Sequence, residues 1–230
     1  MTRDRRLVRR QPARGRYDRP SIDGVLDAGL VAHVAFVDAG QPYCIPMMYA
    51  RLDDSVFVHG STASRAIKTL ATGTPACLTV TLIDGVVLAR SAFEHSANYR
   101  SAVLVGHFQA VAQNELKERA FQAFTNKLVP GRWNEVREPN QKELRSSVIL
   151  EMPIDEAAVK TRTGPPSDDD SPDASLPTWA GVVPVETRVG TPAPSPGLAA
   201  GIPVPDSVRS LAARLTRPDK GAASLSHGDH

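Results

Sequence analysis

Between residues 31 and 106 the apolar positions come in short runs broken by turn residues, and their period is that of strands. "LVAHVAFV" closes on Asp38-Ala39-Gly40, a hairpin signal. "QPYCIPMMYARL" follows, with Pro42 and Pro46 marking an edge or a bulge, and Asp53-Asp54 turns the chain into "SVFVHG". In "ACLTVTLIDGVVLAR" the alternation Leu78, Val80, Leu82 breaks at Asp84-Gly85, the strongest short hairpin signal in the chain. "SAVLVGHFQAVA" predicts another strand. From Asn114 the period turns helical, with Leu116, Ala120, Ala123, Phe124 and Leu128 on one face. Asn114 is placed to cap that helix, Glu115 and Glu118 suit its first turn and Lys127 its last. "VPG" stops it and "SSVILEMPI" returns to strand. Ahead of the strands, "SIDGVLDAGL" predicts a short helix capped by Ser21, with Ile22, Val25 and Leu26 together. About six short antiparallel strands with peripheral helices make a mainly β fold, a barrel or a sandwich. Strand and helix do not alternate throughout, which argues against a doubly wound parallel sheet.

Composition divides the chain. Residues 1–19 hold eight arginines against Asp4 and Asp18, a basic arm expected to be flexible alone. It is read either as a solvated tail or as an arm folding over an anionic ligand or a partner subunit. Nucleic acid is disfavoured, because no aromatic interleaving accompanies the arginines. Residues 20–162 form the strand-rich domain. Residues 163–190 hold a polar, Pro-rich linker and "TWAGVVPVETRVG", apolar enough to pack back as a strand. Residues 191–230 are a Pro/Ala-rich tail with a short helix, "DSVRSLAARLTR", capped by Asp206; the last dozen residues are expected to be disordered.

The 230 residues, 41% hydrophobic with a net charge of +2, suffice for one core and imply no polyanion partner. No apolar run is long enough to span a membrane, and the N-terminus has no secretory apolar region. Two cysteines make no disulfide framework. Cys44 and Cys77 sit in apolar runs and are expected as buried free thiols in a reducing cytoplasm.

The chemistry gathers at "FVHGSTASRAIKTL", residues 57–70. Ser61 or Thr62 is placed to cap a helix from about Ala63 to Ala71, whose first turn offers unpaired N–H groups to an anion. Arg65 and Lys68, three apart, share a face; the first can grip a phosphate through two N–H bonds, the second adds a mobile charge. Ser64 adds a hydroxyl. An amphipathic helix also carries such cations for solvation alone, and neither GxxxxGK[ST] nor GxGxxG occurs. A second polar cluster, His95, Ser96, Asn98, Tyr99, Arg100 and Ser101, precedes a strand. There Arg100 offers a second phosphate cation or a dimer salt bridge, and Tyr99 a ring to stack. "PYCIPMMYA" suits either a core strand or the edge of a planar heterocycle. His33, His95 and His107 have no metal-ligand spacing.

"QPYCIPMMYA", "VFVHGSTASRAIKTL", "DGVVLARSAFEHSANYRSAVLVGHFQAV", "KLVPGRW" and "TWAGVVPV", in that order over residues 15–190, resemble the flavin-nucleotide-binding branch of the pyridoxamine 5′-phosphate oxidase-like family. The resemblance implies a split β-barrel, a homodimer, and FMN in clefts between subunits. It implies that Ile45, Pro46, Met47, Met48 and Tyr49 line the flavin ring and that His59, Gly60 and Ser61 lie near the ring and ribityl chain. It places Ser64, Arg65 and Lys68 at the phosphate, and Tyr99, Arg100 and Ser101 on a following strand, of the same or the other subunit. Trp179 either packs near the dimer cleft or is a plain core tryptophan. The arginine-rich, Trp-containing C-terminal segment of the vitamin B6 enzyme is missing, so FMN binding is expected rather than B6 oxidation. The implied function is an FMN-dependent oxidoreductase exchanging a hydride or electrons at flavin N5 with a small molecule or a reduced nicotinamide, His59 orienting the substrate. The alternatives are a non-catalytic flavin carrier or sensor, and a split barrel using deazaflavin or haem.

Overall fold

Burial alternates along several of the strands as their residues alternate, and the inward sides together line one barrel. The computed structural model describes residues 4–215; Arg3 of the basic arm and the expectation of disorder in the last dozen residues lie outside them. A 3₁₀ turn at Pro12–Arg14 leads into β1 (Gly15–Arg16) and α1 (Arg19–Ala28). Then follow β2 (Val31–Asp38), β3 (Gln41–Leu52), β4 (Ser55–Ser61), α2 (Arg65–Ala71), β5 (Pro75–Leu88), β6 (Ser96–His107) and β7 (Gln109–Ala110). α3 (Asn114–Leu128), α4 (Gln141–Ser146), β8 (Ser147–Pro153), β9 (Ala157–Arg162), β10 (Gly181–Pro184) and α5 (Asp206–Leu215) complete the chain.

All pairing is antiparallel, in the order β1-β9-β6-β5-β2-β3-β4-β8-β7, with β10 added to β5. β6 and β7 are almost one strand, bent at the buried Phe108. The first half pairs with β5 and β9, the second with β8 at the far end of the row, so the sheet curls back on itself. At that seam a Cβ on Gly106 would stand 3.3 Å from the Met152 side chain. This is the mainly β split barrel with peripheral helices that the motif order implies. Ala32, Val34, Phe36, Val56, Val58, Leu78, Val80, Ala102 and Leu104 fill its interior, and α1 closes it with Ile22, Val25 and Leu26. A second cluster lies outside the barrel, where Phe124 and Ala120 of α3 cover Ala50, Phe57 and Ile149.

Several local expectations are corrected. Asp84-Gly85 is not a hairpin turn, because β5 runs straight through it with a register shift between Ile83 and Gly85. Asp84 pairs with Arg100, and Gly85 admits β10: a Cβ there would lie 2.9 Å from Val182 Cγ1. A dipeptide that serves turns also serves a bulge under a crossing strand. α1 is capped by Asp18, which accepts from the Ser21 backbone N–H at 2.9 Å; Ser21 lies inside the helix. Asn114 is likewise the first helical residue of α3, behind Gln113. Cys44 is exposed and Cys77 half-buried, since both occupy the outward phase of their strands, each opposite Ala35 of β2. β9 was not legible because "AAVKTR" has too few apolar residues to declare a period. Trp179 is 66% exposed, which removes its reading as a core tryptophan. No helix among the described residues is long and apolar enough to cross a membrane.

Candidate functional site

β4 leaves the barrel wall at Ser61 and re-enters as α2 after one tight turn. The Ser61 hydroxyl oxygen accepts from the Ala63 N–H at 3.2 Å, and the Ser64 N–H donates to the Ser61 carbonyl at 3.0 Å. α2 begins at Arg65, two residues later than the sequence suggests, because Ser64 caps it by accepting from the Ile67 N–H. Ile67 and Leu70 are buried and pin the helix to the barrel. Gly60 permits this approach, for a Cβ there would stand 2.7 Å from Ile67 Cγ1. With that face anchored, Arg65 and Lys68 are left exposed on the other.

Arg65 differs in its pairing from most of the described arginines. Eleven arginines of the described chain pair with carboxylates. Neither Arg65 nor Lys68 has such a partner among the described residues. Arg65 instead lies over the Tyr43 ring, 4.0 Å from its centroid, and Tyr43 stacks on Phe36. That contact orients the guanidinium without neutralising it.

His59 points from β4 to the outer side of the barrel, toward α3. Its ring meets Phe124 edge-on at 4.6 Å and Phe121 at 6.1 Å. The residue as a whole is exposed, but the aromatic flank desolvates the ring and pulls its pKa below the usual histidine value. The neutral imidazole therefore prevails at pH 7, able to donate one hydrogen bond and accept another.

On β3 alternation divides the expected ring-lining segment. Ile45, Met47 and Tyr49 turn inward and Pro46 and Met48 outward. Tyr49 is sealed in the core, its hydroxyl within reach of the Leu26 and Gly29 carbonyls. Lys127 of α3 donates to the same Leu26 carbonyl at 2.7 Å and sits 4.5 Å over the Tyr49 ring. Burial pushes the Lys127 ammonium down to about 8, against the pull of Asp27. Of the five residues, Pro46 and Met48 share the outer side with His59.

The second polar cluster lies elsewhere on the sheet. Along the row β6 is separated from β4 by β5, β2 and β3, and β7, which continues β6, returns to β8 on the other side of β4. Arg100 makes a two-pronged ion pair with Asp84, at 2.7 and 2.9 Å, so its charge is balanced within the chain. The Ser101 and Thr81 hydroxyls bond at 2.9 Å. Tyr99 stands opposite Arg162 of β9. Sequence reasoning missed Arg162, a buried arginine at the end of a strand too short to detect, and Lys127, which looked like an ordinary C-terminal helix cation.

The pattern of the family described as pyridoxamine 5′-phosphate oxidase matches residues 18–161, from the cap of α1 into β9. Among solved structures, the chain is similar to the flavocytochrome Anf3 from Azotobacter vinelandii. The two are 36% identical with a TM-score of 0.85, over 91% of this chain and 97% of that one. It is also similar to an FAD and haem binding protein from Mycobacterium smegmatis, 40% identical with a TM-score of 0.82, over 86% of this chain and 97% of that one. No curated protein matches the sequence. With its motifs in order on a split barrel and a family match over most of its length, this chain belongs to the pyridoxamine 5′-phosphate oxidase family.

Proposed function

We propose that this protein binds FMN at the β4–α2 corner and acts as a flavin-dependent oxidoreductase on a small molecule. The observation that carries the reading is the pair Arg65 and Lys68, two exposed cations without a carboxylate partner, next to the hydroxyls of Ser61 and Ser64. That set fits a phosphate monoester: a fork donor, a mobile ammonium and two hydroxyls. The reading assigns Pro46, Met48 and His59, on the outer side of β3 and β4, to the flavin ring and its substrate. Bound FMN would supply hydride or electron transfer at its N5 position. The chain's own part is to hold the phosphate with Arg65 and Lys68, to present His59 as a neutral donor–acceptor to a substrate, and to exclude water along β3 and β4.

The reading includes a homodimer. In this reading a second copy would bring its own β6, with Tyr99 and Ser101, to the cleft. The outer side of β2 and β6 offers a packing surface, with Val31, Val37 and Val103 exposed at 42%, 52% and 37%.

A second reading, an FAD- and haem-binding protein, is favoured by the names of the two relatives at 36% and 40% identity. The absorption spectrum of freshly purified protein separates the two. A flavin spectrum alone, with FMN as the extracted species, is expected; a Soret band with extracted FAD selects the second reading, and a colourless protein that takes up neither rejects both. Anaerobic mixing with NADH or NADPH then tests turnover, bleaching of the flavin band being the expected outcome and its persistence overturning the oxidoreductase assignment.

A further inference from the structure

The basic N-terminal arm carries charge that the flavin reading does not use. The arm runs along the edge of β9, with Gly15 opposite Lys160 and Arg16 opposite Val159. Between it and the chain leaving β9 lies a cavity of about 270 Å³, whose lining includes Arg14, Arg16, Arg162, Thr161, Thr163 and Ser167. Three of these are cations and three carry hydroxyls.

Arg162 is 5% exposed, and its guanidinium meets neutral acceptors: Asn98 Oδ1, the Gly164 carbonyl at 3.3 Å and the Pro165 carbonyl at 3.0 Å. Arg16 also donates to carbonyls, those of Ala13 and Gly15, both at 2.8 Å. A buried cation without a counter-charge is electrostatically costly, and burial followed by the charge of Arg14 lowers the Arg162 pKa. The carboxylates nearest in sequence are committed elsewhere. Asp168 accepts from the backbone and guanidinium of Arg90, and Asp18, which feels Arg16, caps α1 through Ser21. No ion pair joins Arg14, Arg16 or Arg162 to a carboxylate among the described residues.

We propose that this cavity is an anion site, built by the arm against β9, that takes a phosphate or diphosphate group. Its volume is below the ~300–1,000 Å³ of pockets that enclose a whole drug-sized ligand, so it fits the phosphate portion and leaves any organic part outside. The hydroxyls of Thr161, Thr163 and Ser167 complement the arginines as donors to phosphate oxygens. The site uses none of the residues assigned to FMN and stands whether or not flavin binds.

Calorimetric titration of the full-length protein with pyrophosphate at fixed low ionic strength tests it. One saturable site per chain is expected. Arg14→Gln/Arg16→Gln should weaken it about tenfold or more, as loss of charged hydrogen bonds implies, without shifting the unfolding midpoint of the ligand-free protein. Ser167→Glu, at an exposed position, should weaken it likewise by placing a carboxylate at the cavity. Arg65→Ala/Lys68→Ala should leave it unchanged. ADP as competitor decides the source: displacement of pyrophosphate assigns the site to a nucleotide, no displacement to a free phosphate. Absence of saturable binding, full affinity in both cavity variants, or loss in the Arg65/Lys68 variant instead would overturn the proposal.

Discussion

At the scale of single residues, the decisive contrast is between cations that are balanced and cations that are not. Arg100 looked as useful for phosphate as Arg65, yet Asp84 holds it in a two-pronged pair while Arg65 rests on a tyrosine face. Changing Arg65 and Lys68 together to Ala should therefore weaken FMN binding by a few kcal/mol, at ~1.5–3 for each charged hydrogen bond, as read by fluorescence titration. Unchanged affinity in the folded double variant would move the phosphate elsewhere. Lys127 allows a test by pH. Its folded pKa of about 8 lies below the ordinary lysine value of 10.5, so above pH 8 the unfolded chain binds more protons. Its penalty on the fold is complete below pH 8 and is relieved as pH rises toward 10.5. Urea unfolding of wild type against Lys127→Met should show the wild type gaining relative stability between pH 8 and 10; parallel curves would contradict the desolvation argument. Arg65 and Lys68 were legible in the sequence because spacing on a helix is local. The partners that leave them available were not, since Asp84 and Arg100 are brought together only by the β5–β6 register.

At the scale of elements, the β4–α2 corner depends on contact between a strand and the helix that follows it. Ile67 fills the space a side chain at position 60 would need. Gly60→Val should lift α2 from β4, costing about 1–3 kcal/mol of stability as overpacking does, and should reduce FMN affinity by displacing Arg65 and Lys68. Thermal unfolding with and without FMN checks both, and a variant with unchanged melting and affinity would show the contact to be soft. The elements themselves were mostly readable where a period ran long enough, as in β2, β5, β6 and α3. Boundaries failed where a side chain had two uses. Asp84-Gly85 can close a hairpin or make a bulge, and the choice fell to β10, nearly a hundred residues downstream. Ser21, Ser61 and Asn114 are all able caps, but Asp18 and Ser64 took two of the positions and Gln113 the third.

At the scale of the whole molecule, the exposed valines on the outer side of β2 and β6 make one prediction. Val103→Asp on the outer side of β6 should shift the protein from dimer to monomer by light scattering and should weaken flavin retention, because the cleft would lose its second wall. A wild type that is monomeric with flavin bound would overturn the shared cleft. The amino-acid sequence by itself determined the mainly β character, the helical period of α3, the order of the family's motifs and the two cations after β4, because each depends on neighbours within a few residues. Only the tertiary structure decided which charges remain unbalanced, that Tyr49 is sealed beneath Lys127, and that the basic arm meets Arg162 at the edge of β9. Those facts follow from pairings between segments far apart in the chain. A local pattern of polarity cannot encode which distant strand will stand beside it.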